Sequence, residues 1–309
     1  MKLYFAPLEG ITKFIFRNVH AKMFGGCDAY FAPFITPSDN EKIGLKALRD
    51  ILPENNVGVN LKIQVQTSSV SSFMKFERKI EPLKYDEVNI NLGCPSGTVV
   101  NKGRGAGMLK NPAELEMFLD GVFQNSKLKI SVKTRSGFSS GREVEKLMNI
   151  YNQFPVTQVI LHPRCREEFY KGTPDYVAFE TAYHNSNNPL CYNGDVRTVS
   201  DYEKIQKKFP DVCGMMIGRG AVANPALFRE IRGGAKLTTS DLQKFTAELT
   251  DAYMQELKSE TFTLHKLKEV WMYMMLNYPD EKKILKQIKK ATKLSDFLSA
   301  VSYLPEINS

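Results

Sequence analysis

The chain has 309 residues, 42% of them hydrophobic and 25% charged, with a formal net charge of +8 at pH 7. That length suits one large domain or two modest ones with a real core, and no apolar run approaches the roughly 18 residues of a membrane span. An isoelectric point near 9.1 and a mean hydropathy of −0.31 fit a soluble protein with a polyanionic partner.

The N-terminal stretch MKLYFAPLEG leads straight into a motif and lacks the length and cleavage site of a signal peptide. A cytoplasmic protein is expected. The cysteines are Cys27, Cys94, Cys165, Cys191 and Cys213. Their number is odd and no C-x-x-C pair occurs, which argues against a disulfide framework and against a zinc site.

Short apolar, β-branched or aromatic runs predict strands over 2–8, 30–34, 61–66, 87–93, 129–135, 158–163, 189–195 and 214–220. Most gaps between them carry helix patterns. Residues 111–123 open with Asn at an N-cap position and Pro in the first turn. Residues 142–154 are amphipathic, and residues 199–209 place Val199, Tyr202, Ile205 and Phe209 on one face. Regular strand–helix alternation means parallel strands joined by crossover helices. Eight such units over residues 1–234 predict a TIM (β/α)8 barrel. An open doubly wound sheet would want a glycine fingerprint after the first strand, and APLEG is not one. From residue 235 the alternation stops. Residues 241–257, 262–276 and 281–301 read as helices, forming a small all-helical C-terminal domain over 235–309.

Barrel chemistry sits at the C-terminal ends of the strands. The predicted strands carry or end in Pro7, Leu8 and Glu9; Gln64 and Gln66; Asn89, Asn91 and Cys94; Lys133 and Arg135; His162 and Arg164; Asn193, Gly194 and Asp195; and Gly218 and Arg219. Buried polar groups need partners, so this convergence predicts a bound polar ligand. Lys133, His162, Arg164 and Arg219 make it partly anionic. Gly218-Arg219-Gly220, followed by a helix start at Asn224-Pro225, predicts a phosphate site.

Cys94 precedes a proline and a glycine-rich loop, NLGCPSGTVVNKGRGAG. That loop is expected to move over the pocket. The other four cysteines are read as buried packing residues. Lys282, Lys283, Lys286, Lys289, Lys290 and Lys293 fall on a helix arc of roughly 120°. They predict a stripe that faces nucleic-acid phosphates.

At these residues the chain resembles the tRNA-dihydrouridine synthase family. The motifs are APLEGIT with Phe16-Arg17 downstream, NxGCPxxxVxxxGxG, VKTRSG, LHPR…YKG, YNGDV and MMIGRGAVANP, all in this order. The resemblance implies an FMN-dependent enzyme that reduces uridines in tRNA, with NADPH or NADH as electron donor and a helical tRNA-binding domain after the barrel. It implies that Pro7, Leu8, Glu9, Gln64, Lys133, His162, Asn193, Gly194, Asp195, Gly218 and Arg219 hold the flavin. Cys94 matches the catalytic cysteine and Asn91 the asparagine facing flavin and base. Arg164, Lys286, Lys289 and Lys293 are expected on the substrate side. Leu8, Lys13 and Tyr176 stand where methionine, aspartate and tryptophan are common.

The chemistry is physically consistent. Uracil C6 accepts hydride and C5 then needs a proton. A free thiol's ordinary pKa is about 8.5, so at pH 7 it is mostly an acid. Such a base must leave its stack to be reached. Two other readings compete. One is an FMN barrel acting on a free pyrimidine, as dihydroorotate dehydrogenases do. The other is a barrel kept only as an RNA-binding module. A monomer without metal or membrane partners is expected.

Overall fold

The structure, a computed structural model, describes residues 1–37 and 44–307. Its eight strands are β1 (Lys2–Phe5), β2 (Ala29–Phe31), β3 (Leu61–Val65), β4 (Glu87–Leu92), β5 (Lys129–Gly137), β6 (Val159–Cys165), β7 (Leu190–Tyr192) and β8 (Gly214–Ile217). They form a closed barrel in sequential order, every pair parallel, with β8 pairing β1. The predicted barrel is therefore observed. Several predicted strands ran past the ladder. Residues 6–8, 193–195 and 218–220 lie beyond the ends of β1, β7 and β8, in the loops that the barrel presents at its mouth.

Parallel strands buried on both faces read as nearly continuous apolar runs, and two packed regions result. Inside the barrel, Tyr4, Phe31, Ile160, Cys191 and Met216 form a cluster that fills the interior. Outside it, strand side chains such as Leu3, Phe5, Ile63, Val88 and Val132 pack against the surrounding helices. The helix Val199–Lys208 shows the local logic. Asp201 N–H donates to Thr198 Oγ1 at 3.1 Å, and Thr198 N–H donates to Asp201 Oδ2 at 3.0 Å. This reciprocal cap fixes the start. Ile205 and Phe209 are buried, and Pro210 disfavours continuation. The helix Pro112–Asn125 does carry Asn111 at its N-cap position, but without a side-chain capping bond.

The C-terminal helices are Thr239–Leu257, Glu260–Met274, Lys282–Lys290 and Leu294–Ser302. Phe245 meets Phe16 edge-on at 5.6 Å and Phe24 at 5.2 Å between ring centroids. The first of these helices is thereby joined to the helix Phe14–Met23, which follows β1. Trp271 is fully buried, and its indole N–H finds Thr246 Oγ1 at 3.0 Å. The barrel helices and these four helices share one apolar cluster.

The single helix expected over 281–301 is two helices. At 100° per residue, one straight helix would put Ile288 and Phe297 about 180° apart, on opposite faces. Both are fully buried. The chain resolves the conflict by leaving helical geometry at Ala291 (ψ 127) and Lys293 (φ −114, ψ 148). Lys268 Nζ donates to the Ala291 carbonyl at 3.1 Å. Lys293 therefore sits at the start of the next helix and leaves the predicted arc.

Candidate active site

A cavity of about 480 Å³ opens at the C-terminal mouth of the barrel, within the range of small-molecule and cofactor sites. Pro7, Leu8, Glu9, Gln64, Asn91, Cys94, Lys133, His162, Asn193, Gly194, Asp195, Gly218 and Arg219 all line it. These are the residues expected to hold a cofactor, joined by Cys94 and Asn91. Arg164 is not among the lining residues, and Lys286, Lys289 and Lys293 lie on the C-terminal helical segment, exposed.

A chain of amide hydrogen bonds crosses the barrel interior beneath the cavity. Residues i and i+2 of a strand share a face, which places Asn89 and Asn91 together on β4. Register sets Gln64 beside Asn89. Asn89 Nδ2 donates to Ser131 Oγ at 2.9 Å, Gln64 Nε2 to Asn89 Oδ1 at 2.7 Å, and Asn91 Nδ2 to Gln64 Oε1 at 2.7 Å. Asn91 Oδ1 then accepts the backbone N–H groups of Gly93 at 3.1 Å and Cys94 at 2.9 Å. The network begins on β5 and ends on the cysteine. Gln64 has thus committed one amide hydrogen and one of its carbonyl's two acceptor positions internally, and its second amide hydrogen is the donor left to offer.

The glycine-rich loop is folded onto Cys94. Residues Gly97–Val100 and Gly105–Lys110 form short helical turns, and Ala106 N–H donates to the Cys94 carbonyl at 3.0 Å. Gly105 has φ +55, and a Cβ there would sit 2.9 Å from Val99 Cγ1 and 3.0 Å from the Cys94 carbonyl oxygen. At this position glycine serves close packing, where mobility was expected.

The electrostatics are cationic and anchored. Lys133, opposite Asn91 in register, is half-buried. Burial, with the nearby Arg135 charge, pushes its ammonium down to about 8. Burial also drives His162 well below the ordinary imidazole value, helped by Arg135 and Lys133. Its Nδ1 lies 2.6 Å from the Asn193 carbonyl, which assigns the ring proton of the neutral form to Nδ1. Asp195 takes Arg164 Nη2 at 2.7 Å and Arg219 Nη2 at 2.5 Å. Burial would raise the Asp195 carboxyl, but the two guanidiniums outweigh it and hold it below the usual range.

Arg164 requires a correction. It is fully buried, and besides Asp195 it donates to the Lys171 carbonyl at 3.0 Å and the Gly172 carbonyl at 2.7 Å. Its guanidinium is consumed in fixing the loop after β6 and in holding Asp195, which in turn aims Arg219. The sequence reading gave Arg135 no role beyond its place among the converging strand-end residues. Arg135 lines the cavity and donates to the carbonyls of Gly93 (2.8 Å), Cys165 (3.0 Å) and Phe169 (2.8 Å). Its i, i+2 relation to Lys133 was a usable signal. The Tyr170 ring lies 5.2 Å from the Arg135 guanidinium and 5.3 Å from that of Arg219. Ile11, Pro33, Phe34 and Tyr273 complete the wall, without any strand-end polar signal to announce them.

The architecture has relatives. Among solved structures, an old yellow enzyme homologue from Zymomonas mobilis superimposes with a TM-score of 0.54 at 12% identity, over 76% of this chain and 89% of that one. Morphinone reductase gives 0.52 at 10% identity, over 76% and 86%. At such identities they support the barrel fold alone. A Helicobacter pylori protein described as a probable tRNA-dihydrouridine synthase is 30% identical over 234 residues, covering 74% of this chain and 70% of that protein. The tRNA-dihydrouridine(16) synthase of Escherichia coli O157:H7 is 24% identical over 326 aligned residues, 97% of each chain. The model of the dihydrouridine synthase (Dus) family matches residues 4–303. With its motif residues gathered at one barrel mouth, the chain belongs to the dihydrouridine synthase family.

Proposed function

We propose that this protein reduces the C5=C6 bond of uridines in tRNA to 5,6-dihydrouridine, with FMN as cofactor and NADPH or NADH as electron source. The observation that carries this reading is one juxtaposition. The Cys94 thiol, fastened to the barrel through Asn91, lines the same cavity as Lys133, His162, Asn193 and Arg219.

The residues fit a flavin mononucleotide. Gly218 keeps the β8 end open beside the β1 turn; a Cβ there would come 3.2 Å from Ala6 Cβ and 3.3 Å from Leu8 Cδ1. Arg219, aimed by Asp195, supplies a cation for the phosphate, while Lys133 and the remaining amide hydrogen of Gln64 offer donors to the ring edge. When bound and reduced, the cofactor supplies a hydride to C6 of the base.

The protein's own part is to hold and protonate. Cys94 is the proton donor to C5, so that uracil gains one hydride and one proton and the thiol is restored from solvent. Arg135 lines the cavity beside this thiol. Donor groups aimed at the C4 oxygen would stabilise the negative charge that develops there. Tyr170, 56% exposed, presents a ring at the mouth where an extruded base enters.

The deciding experiment maps dihydrouridine in tRNA from cells with and without this gene, alongside reduction of unmodified tRNA by the purified holoenzyme. Loss of dihydrouridine at defined positions is expected. An unchanged map together with turnover of a free pyrimidine would overturn the assignment.

A further inference from the structure

We propose that Tyr273, on the C-terminal helix Glu260–Met274, contacts the target pyrimidine with its ring during reduction. The inference rests on the activity proposed above and adds a base-contacting residue from outside the barrel.

Tyr273 lines the same cavity as Cys94 and Lys133. Among the described residues, it is the lining residue contributed by the C-terminal helices. Its helix is held against the mouth on both sides of it. Seven residues earlier and on the same face, Lys266 Nζ donates to the Gly10 carbonyl at 3.1 Å. That carbonyl belongs to the turn carrying Pro7, Leu8 and Glu9. Just past the helix end, Asn277 Nδ2 donates to the Ala223 carbonyl at 2.7 Å, behind Arg219. The ring is thus placed by contacts to the elements after β1 and β8.

Cys94 follows β4, three steps around an eight-stranded ring from β1. The thiol and the helix that carries Tyr273 therefore reach the cavity from different parts of its rim. With the cofactor against one face of the uracil and the thiol reaching C5 from the other, the edge of the base is left for a residue from outside the barrel, and the half-buried Tyr273 ring offers an aromatic contact there. The Tyr273 hydroxyl has no hydrogen-bond partner among the described residues, so the ring is not turned away to satisfy an internal bond.

The test compares wild type, Tyr273→Leu and Tyr273→Phe as holoenzymes. It measures FMN content, NADPH oxidation without tRNA, and kcat and KM for unmodified tRNA. Tyr273→Leu is expected to lower kcat/KM for tRNA by about threefold to tenfold, and Tyr273→Phe to restore it. FMN is retained in both, and the fall in kcat/KM for tRNA in Tyr273→Leu is expected to exceed any change in NADPH oxidation in the same preparation. Wild-type kcat/KM in Tyr273→Leu would overturn the proposal. Loss of FMN in that variant would also overturn it, by assigning the ring to the cofactor. Should Tyr273→Leu not fold, Lys266→Met keeps the ring and frees its helix from Gly10. A lowered kcat/KM with FMN retained supports the proposal, and an unchanged value overturns it. Wild-type enzyme that forms no dihydrouridine in any tRNA would instead sink the activity assignment, independently of Tyr273.

Discussion

Asn91 Oδ1 accepts the backbone N–H of Cys94 at 2.9 Å, while Asn91 Nδ2 donates to Gln64 Oε1 at 2.7 Å. The thiol is thereby tied to the barrel interior as well as to its own loop. Asn91→Ala strands the Gln64 carbonyl and loosens two backbone donors. Each buried group left unsatisfied costs about 1–3 kcal/mol. The expected outcome is a fall in dihydrouridine formation of about tenfold or more with FMN still bound. Cofactor stoichiometry and single-turnover assays on tRNA check it. Undiminished turnover would show that Cys94 is placed by its other contacts.

Cys94→Ala removes the proposed proton donor and nothing else that touches the cofactor. Positioned acids contribute typically 10²–10⁴-fold, and a loss of about that size in product formation is expected. Flavin reduction by NADPH in the same variant should run at the wild-type rate. Stopped-flow absorbance of the two half-reactions separates the outcomes. A collapse of the first half-reaction with the second intact would reverse the assigned role.

Lys133 carries a pH signature. Its folded pKa is pushed from 10.5 down to about 8, first by burial and then by Arg135. Below pH 8 the folded apoprotein holds a desolvated charge. Between about 8 and 10.5 the unfolded chain alone binds that proton, so this group's contribution to stability rises with pH across the window. Lys133→Met should therefore stabilise the apoprotein at pH 7, on the order of 3 kcal/mol. That advantage should shrink as pH approaches 10.5. Urea unfolding of both apoproteins at pH 7 and pH 10 measures it. FMN affinity of the wild type should fall as pH rises through 8, because the neutral amine no longer attracts the cofactor; Lys133→Met should lack that dependence.

Gly105→Ala tests the packed reading of the loop. The new Cβ would press on the Cys94 carbonyl and Val99 at a φ of +55, a region in which side chains are strained. The expected result is a loss of about 1–2 kcal/mol in stability and a lower rate of tRNA reduction with FMN content preserved. Thermal unfolding and tRNA turnover are the measurements. A neutral effect on both would return the glycine to its expected role in mobility.

The strand-end residues were legible because a parallel barrel leaves few places for a polar side chain. Asn91, Lys133, His162 and Asn193 each follow or interrupt an apolar run that names its own strand. Their convergence then follows from topology. Arg164 shows the limit of that logic. It stood among the strand-end residues with His162, but its partner is Asp195 from the loop after β7, and only the fold shows that the two are paired. The glycines were ambiguous for a related reason, since composition does not separate freedom from close approach. Gly105 is settled by a carbonyl eleven residues upstream. Tyr273 had no legible signal, because helical periodicity reports that a face is covered and not by what. The break at Ala291 was legible in principle, since Ile288 and Phe297 cannot share a straight helix face.

That break changes what the lysines predict. Lys282, Lys283, Lys286, Lys289 and Lys290 remain on one helix and are exposed, and none makes an ion pair among the described residues. Lys293 sits at the start of the following helix, also exposed, so its reach to a phosphate is set separately. If the helix Lys282–Lys290 docks tRNA, each lost phosphate contact should make the slope of log affinity against log salt shallower by about 0.7 to 0.9. Changing Lys286 and Lys289 together to Ala should reduce the slope by about 1.4 to 1.8 and leave FMN content and NADPH oxidation intact. Lys293→Ala, measured alone, should follow its own increment, because additivity holds for sites that share no partner. tRNA affinity at several salt concentrations for the three proteins gives the slopes. Identical slopes in wild type and the double variant would place the docking surface elsewhere. The first surface to test would then be the loop after Cys94, with exposed Lys102 and Lys110 and half-buried Arg104.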